Sequence, residues 1–238
     1  MRINNMNFSK EKALLGFILL CLMTLLLVLY KQIYEKEGFD NSEKTIVLLG
    51  DSILKNNVYV AKDKSVEDIL TQQYNGKIIN LAKDNSTIED VNAQLNELNP
   101  ELNNRNTTIF VSMGGNDILN KYVYVTKDVD IDNFKMLYEF YLEYKDVLRK
   151  LREKMPKVKL MIVNLYYPKS LKYAQYRELI KKWNDLLFEY ASEPINNVND
   201  VLDLSLIMTD INDFALCIEP SEKGSVKIAK EILTLANE

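Results

Sequence analysis

Short apolar runs alternate with longer stretches of helical periodicity along most of the chain. "TIVLLG" (45–50), "KIINLA" (77–82), "TTIFVSMG" (107–114), "VKLMIVNL" (158–165) and "DVLDLSLIM" (200–208) read as strands. The first four are nearly continuously apolar, the pattern of parallel strands covered on both faces. Between them, "SVEDILTQQY" (65–74) and "STIEDVNAQLNEL" (86–98) each open on a serine, whose side-chain oxygen can take up a free N–H of the first helical turn. A long helix is predicted over 131–155, ending before Pro156. Another is predicted over 170–191, with Leu179, Trp183, Leu186 and Leu187 on one stripe, and residues 223–238 close the chain as a last helix. Each parallel crossover needs a covering helix, so this alternation predicts a three-layer α/β/α sandwich with a parallel five-stranded sheet. It forms one domain over residues 45–238.

One stretch departs from that rhythm. Residues 13–30, "ALLGFILLCLMTLLLVLY", carry no charge and have no polar face. At about 1.5 Å per residue they would span roughly 27 Å, close to the hydrocarbon thickness of a bilayer. No small-residue cleavage site follows, so the expectation is a retained single-pass signal-anchor with the lipid bilayer as its partner. Residues 1–12 then form a tail and the polar residues 31–44 a stalk. Arg2, Lys10 and Lys12 before the span nearly balance Lys31, Lys36 and Lys44 after it. With the terminal amine added, the balance tips slightly toward a cytoplasmic N-terminus.

Composition removes several classes of chemistry. The net charge of −4 offers no polybasic surface, which argues against nucleic acid as a partner. There is no histidine, and Cys21 and Cys217 lie at opposite ends of the chain. Neither a disulfide framework nor a zinc or other transition-metal site has the ligands it needs. Neither a dinucleotide fingerprint nor a phosphate-binding P-loop occurs, so no cofactor is expected. Phe134, Tyr138, Phe140, Tyr141 and Tyr144 recur near helical spacing and read as packing residues, whereas the tyrosines of "KYVYVT" (121–126) follow the third strand and are candidates for a cleft wall.

In open α/β sheets the chemistry gathers beyond the strand ends. The first strand here ends in Gly50-Asp51-Ser52, the second in "NLAKDNST", and the third in "SMGGNDIL" with Gly114, Gly115, Asn116 and Asp117. Gly-Asp-Ser alone is weak evidence, because serine is also a good helix cap. The three loops in this order converge on one site. With them, residues 45–238 resemble the SGNH/GDSL hydrolase family of esterases and lipases. The resemblance implies a flavodoxin-like SGNH hydrolase fold, with Ser52 as nucleophile. It also implies an oxyanion hole from the Ser52 and Asn85 backbone N–H groups and the Asn116 amide. Gly50, Asp51, Gly114, Gly115 and Asp117 support them, and the ligand class is an acyl ester or an acylated glycan. Asn85 stands where the family has a glycine, but asparagine keeps the N–H and tolerates positive φ.

The last block departs from the family. Its D-x-x-H-P is here "LCIEP" within "LCIEPSEKG" (216–224), so Glu219 falls on the histidine and Leu216 on the aspartate that orients it, while Pro220 and Gly224 keep the frame. A serine triad without its base loses on the order of 10⁶ in kcat. Two readings stay open. In one, Glu219 is itself the base, its carboxyl raised by burial and desolvated by Leu216. In the other, the chain is a pseudo-enzyme that keeps a binding cleft for a glycan or acyl ligand without turnover. Asp213 and Lys223 are weaker candidate bases, and a receiver-like sandwich built around Asp51 is a more distant possibility.

Overall fold

The computed structural model describes residues 15–28, 43–121 and 129–237. The chain divides into two units, Met1–Asn41 and Ser42–Glu238. In the first, residues 15–28 form a helix, α1, with exposed apolar side chains. The remaining residues of the expected anchor, and nearly all of the stalk, lie outside the described residues. Among the described residues no helix is long and apolar enough to cross a membrane.

The second unit is a five-stranded parallel sheet. Its strands are β1 (Thr45–Leu49), β2 (Lys77–Asn80), β3 (Thr107–Ser112), β4 (Lys159–Val163) and β5 (Asp200–Leu202), in the order β2-β1-β3-β4-β5. Every residue of β1 and β3 is buried, as their unbroken apolar runs demand. The polar ends of the edge strands β2 and β5 are exposed. The helices are α2 (Val66–Gln73), α3 (Ile88–Gln94), α4 (Gly115–Lys121), α5 (Val129–Lys154), α6 (Arg177–Ser192), α7 (Leu204–Ile207) and α8 (Glu222–Asn237). Helix α2 packs with α8, while α3 and α6 pack with α5. The buried apolar residues of this unit run from Ile46 to Ala236, so residues 42–238 hold a closed core of their own.

Local chemistry sets the helix ends. Ser65 caps α2, and Asp68 returns a bond to the cap N–H. At α3 the cap is Thr87, paired with Asp90, rather than the expected Ser86. Ser86 is buried instead, and its oxygens serve the site described below. The predicted strand over 200–208 is corrected too. It stops at Leu202 because Asp203 accepts from Ser205 N–H and starts α7. The predicted helix over 170–191 divides into a 3₁₀ segment, Leu171–Tyr176, followed by α6. On α5, Phe140, Tyr141 and Tyr144 are buried while Tyr138 faces solvent. Trp183 is wholly buried and meets Tyr144 edge-on at 5.4 Å.

Candidate active site

The polarity of the sheet brings the ends of β1 and β3 side by side, at the point where strand order reverses. Gly50 follows β1 with φ +141°, and a Cβ there would sit 2.2 Å from the Ser112 carbonyl oxygen. The chain can leave β1 this close to β3 only because residue 50 has no side chain. Asp51 is then buried, and its carboxylate accepts from Ser112 Oγ (2.8 Å) and from Ile53 N–H (3.1 Å). Burial pushes its pKa up to about 6 against those two bonds. Asp51 thereby organises the turn that carries Ser52, which is 7% exposed at the floor of a cleft.

The third loop starts α4 inside the GGND motif itself. Gly114, at φ +101°, lies against Trp183, which would meet a Cβ at 2.2 Å. Asn116 Nδ2 donates to the Ser86 carbonyl (2.9 Å), tying this loop to the second one. Asp117 accepts from Ile88 N–H at the start of α3, and burial raises its carboxyl to about 6. Gln94 completes the junction. Its amide accepts from Gly50 N–H (2.8 Å) and donates to Gly50 O (2.9 Å) and Ser86 Oγ (3.1 Å), so one buried side chain clamps the first two loops together. Asn85 has φ +59°, as expected of an asparagine replacing glycine. It is exposed, its side chain bonds Asp84, and it does not line the cleft.

The last block reaches the same cleft. A small hairpin, β6 (Phe214–Ala215) and β7 (Glu219–Pro220), carries Glu219 to the wall opposite Asn116. Burial raises the Glu219 carboxyl above its usual range. The nearby Ser52 side chain pulls the other way, and the charges of Asp51 and Asp84 add to the rise. Glu219 Oε2 is buried with no partner of its own. The hairpin is held to the first loop by Asn56, a wholly buried side chain. Its Nδ2 donates to Pro220 O (3.1 Å) and Ser225 Oγ (2.6 Å), and its Oδ1 accepts from Val66 N–H (3.0 Å).

Three sequence expectations are corrected here. Leu216 does not desolvate Glu219: it is 72% exposed at the hairpin tip and does not line the cleft. Asp213 is fully buried, paired to Lys227 (2.6 Å), and its carbonyl accepts from Ser221 N–H, so it braces the hairpin. Lys223 pairs with Asp210 at 3.3 Å. Neither residue lines the cleft. The tyrosines expected from 121–126, Tyr122 and Tyr124, lie outside the described residues. Among the described residues, the aromatic lining comes from Tyr166, Tyr173 and Tyr176, after β4.

Residues 48–224 match the GDSL-like Lipase/Acylhydrolase family. The chain belongs to that family. Solved structures agree on the fold. A member of the lipolytic G-D-S-L family from Veillonella parvula is 18% identical, with a TM-score of 0.59, over 80% of this chain and 97% of its own. Phospholipase A1 from Streptomyces albidoflavus is 13% identical, TM-score 0.58, over 82% and 99%. A mutant acetyl-xylooligosaccharide esterase from Geobacillus Stearmophilus is 14% identical, TM-score 0.59, over 82% and 94%. No curated protein sequence matches this chain. The matched stretch, residues 48–224, contains both Gly50-Asp51-Ser52 and Gly114-Gly115-Asn116-Asp117. The sequence reading passed over Asn56, Gln94 and Ser112, because nothing in "KNN", at a helix end or inside an apolar strand marks a polar residue as a tether.

Proposed function

We propose that this chain is an acyl-ester hydrolase in which Ser52 is the nucleophile and Glu219 takes the place of the missing histidine. The observation that carries the reading is that Ser52 and Glu219 line one cleft, with the Glu219 carboxyl raised by burial and its Oε2 unpartnered. A carboxylate has no tautomer to orient, so the absent aspartate leaves no gap in this arrangement. Ionised Glu219 accepts the Ser52 proton as Oγ attacks the ester carbonyl. The tetrahedral oxyanion is held by the Ser52 N–H and by the second hydrogen of Asn116 Nδ2. Glu219 then returns the proton to the departing alkoxide, leaving an acyl-serine. Water deacylates the serine by the same route in reverse. A carboxylate near its ordinary pKa is a poor base, and burial brings it toward the useful range. The apolar residues 13–30 tether this domain to a bilayer, with the N-terminus on the cytoplasmic side.

A soluble fragment of residues 42–238 tests the reading on p-nitrophenyl esters. Ser52→Ala should fall to background, and Glu219→Gln should lose about 10²–10⁴ in kcat with the fold intact. Equal rates in all three proteins would refute it. The exposed placement of Asn85 favours the second reading, a cleft that binds without turnover. That reading predicts ligand-dependent thermal stabilisation and no product.

A further inference from the structure

The cleft beside Ser52 is built mostly from apolar side chains. Ile118 and Leu119 come from α4, just beyond Asn116, Leu165 from the end of β4 and Ile180 from α6. Ile118, Leu165 and Ile180 are buried. The polar lining is the catalytic set itself, and much of it is already committed. Asp51 is taken by Ser112 and Ile53, and Asn116 gives one hydrogen to Ser86. The remaining side-chain polar atoms are hydroxyls of Tyr166, Tyr173 and Tyr176, and among the described residues no lysine, arginine or glutamine lines the cleft. A sugar ring buried there would exchange water for very few hydrogen bonds, whereas a methylene chain would lose none.

We infer that this cleft holds the acyl half of the ester as an alkyl chain longer than acetyl, with Ile118, Leu119, Leu165 and Ile180 as the wall that selects it. For turnover the inference rests on the hydrolase reading above; for binding it stands apart from it. Each methylene moved from water onto such a wall is worth about fourfold in affinity. Leu119 is half-buried on α4, so a larger side chain there narrows the cleft without entering the main core.

The test uses residues 42–238 and two readouts. In the first, p-nitrophenyl acetate and p-nitrophenyl octanoate are compared by kcat/KM, with roughly tenfold or greater preference for octanoate expected. In the second, the neutral amides octanamide and acetamide are added to the Ser52→Ala protein, which cannot turn over. Octanamide should raise Tm by about 3–5 °C at saturation and acetamide should not. Leu119→Trp should erase both preferences. Ile180→Ala, which widens the same wall, should weaken them if the tryptophan variant does not fold. Octanamide stabilisation with no turnover of either ester would defeat the hydrolase reading and leave the alkyl wall standing. Acetate hydrolysed as well as octanoate, with no octanamide effect, would defeat the alkyl wall and leave the hydrolase reading intact.

Discussion

The two halves of the site are built in different ways. Ser52 and Asn116 stand on loops rooted in the middle of the sheet, where glycines at 50 and 114 are pressed against Ser112 and Trp183 and where the Gln94 side chain ties the Gly50 backbone to Ser86 Oγ. Glu219 stands on a hairpin whose strands are two residues each, outside the main sheet. The tip of that hairpin is strained. Leu216 (φ +48°) and Cys217 (φ +75°) are the central residues of a turn closed by Ile218 N–H on the Ala215 carbonyl (3.1 Å). Both residues at positive φ is the pattern of a type I′ turn, which favours Asn-Gly. The Ser52 half cannot change without disturbing the core. The Glu219 half lies outside the main sheet and can vary while the core stays as it is.

The largest effect should come from the rigid half. Gly114→Ala puts a methyl group into the Trp183 ring at a backbone angle that side chains avoid, and should cost about 3 kcal/mol or more, read by urea denaturation. A loss below about 1 kcal/mol would mean the third loop is not locked as described. Next comes the tether between the halves. Asn56→Ala leaves Val66 N–H and Pro220 O without their partner and should cost about 2–3 kcal/mol. It should also lower kcat in the fraction that stays folded, because Glu219 loses its alignment with Ser52. The smallest effect should come from the hairpin tip. Leu216→Asn with Cys217→Gly relieves two left-handed residues and should stabilise the fold by about 1–2 kcal/mol, seen as a rise in Tm. Destabilisation instead would show that the exposed Leu216 has a contact of its own.

The same contrast explains what could be read from the sequence. Buried parallel strands must be apolar on both faces, so β1 to β4 announce themselves, and the glycine-bearing loops at their ends follow because close approach demands glycine. Just after Leu202 the signal fails. "LDLSLIM" is apolar enough for a strand, but the Asp203 side chain competes for a backbone N–H and turns it into a short helix. The placing of Glu219 in the same cleft as Ser52 was legible only through the family frame of Pro220 and Gly224. Its tether, Asn56, was not, since a buried asparagine depends on residues 164 and 169 positions further along the chain.

The central claim is that ionised Glu219 activates Ser52, and the rate of fluorophosphonate labelling as a function of pH tests it most directly. Burial holds the Glu219 carboxyl above the usual range. The reactive form is therefore present above that raised pKa and disappears as pH falls through it. Wild type should label Ser52 with a rate that climbs as Glu219 ionises and then levels off. Glu219→Gln should label at least about 10²-fold more slowly and without that rise. A Glu219→Gln protein that labels at the wild-type rate with the same pH profile would contradict the account.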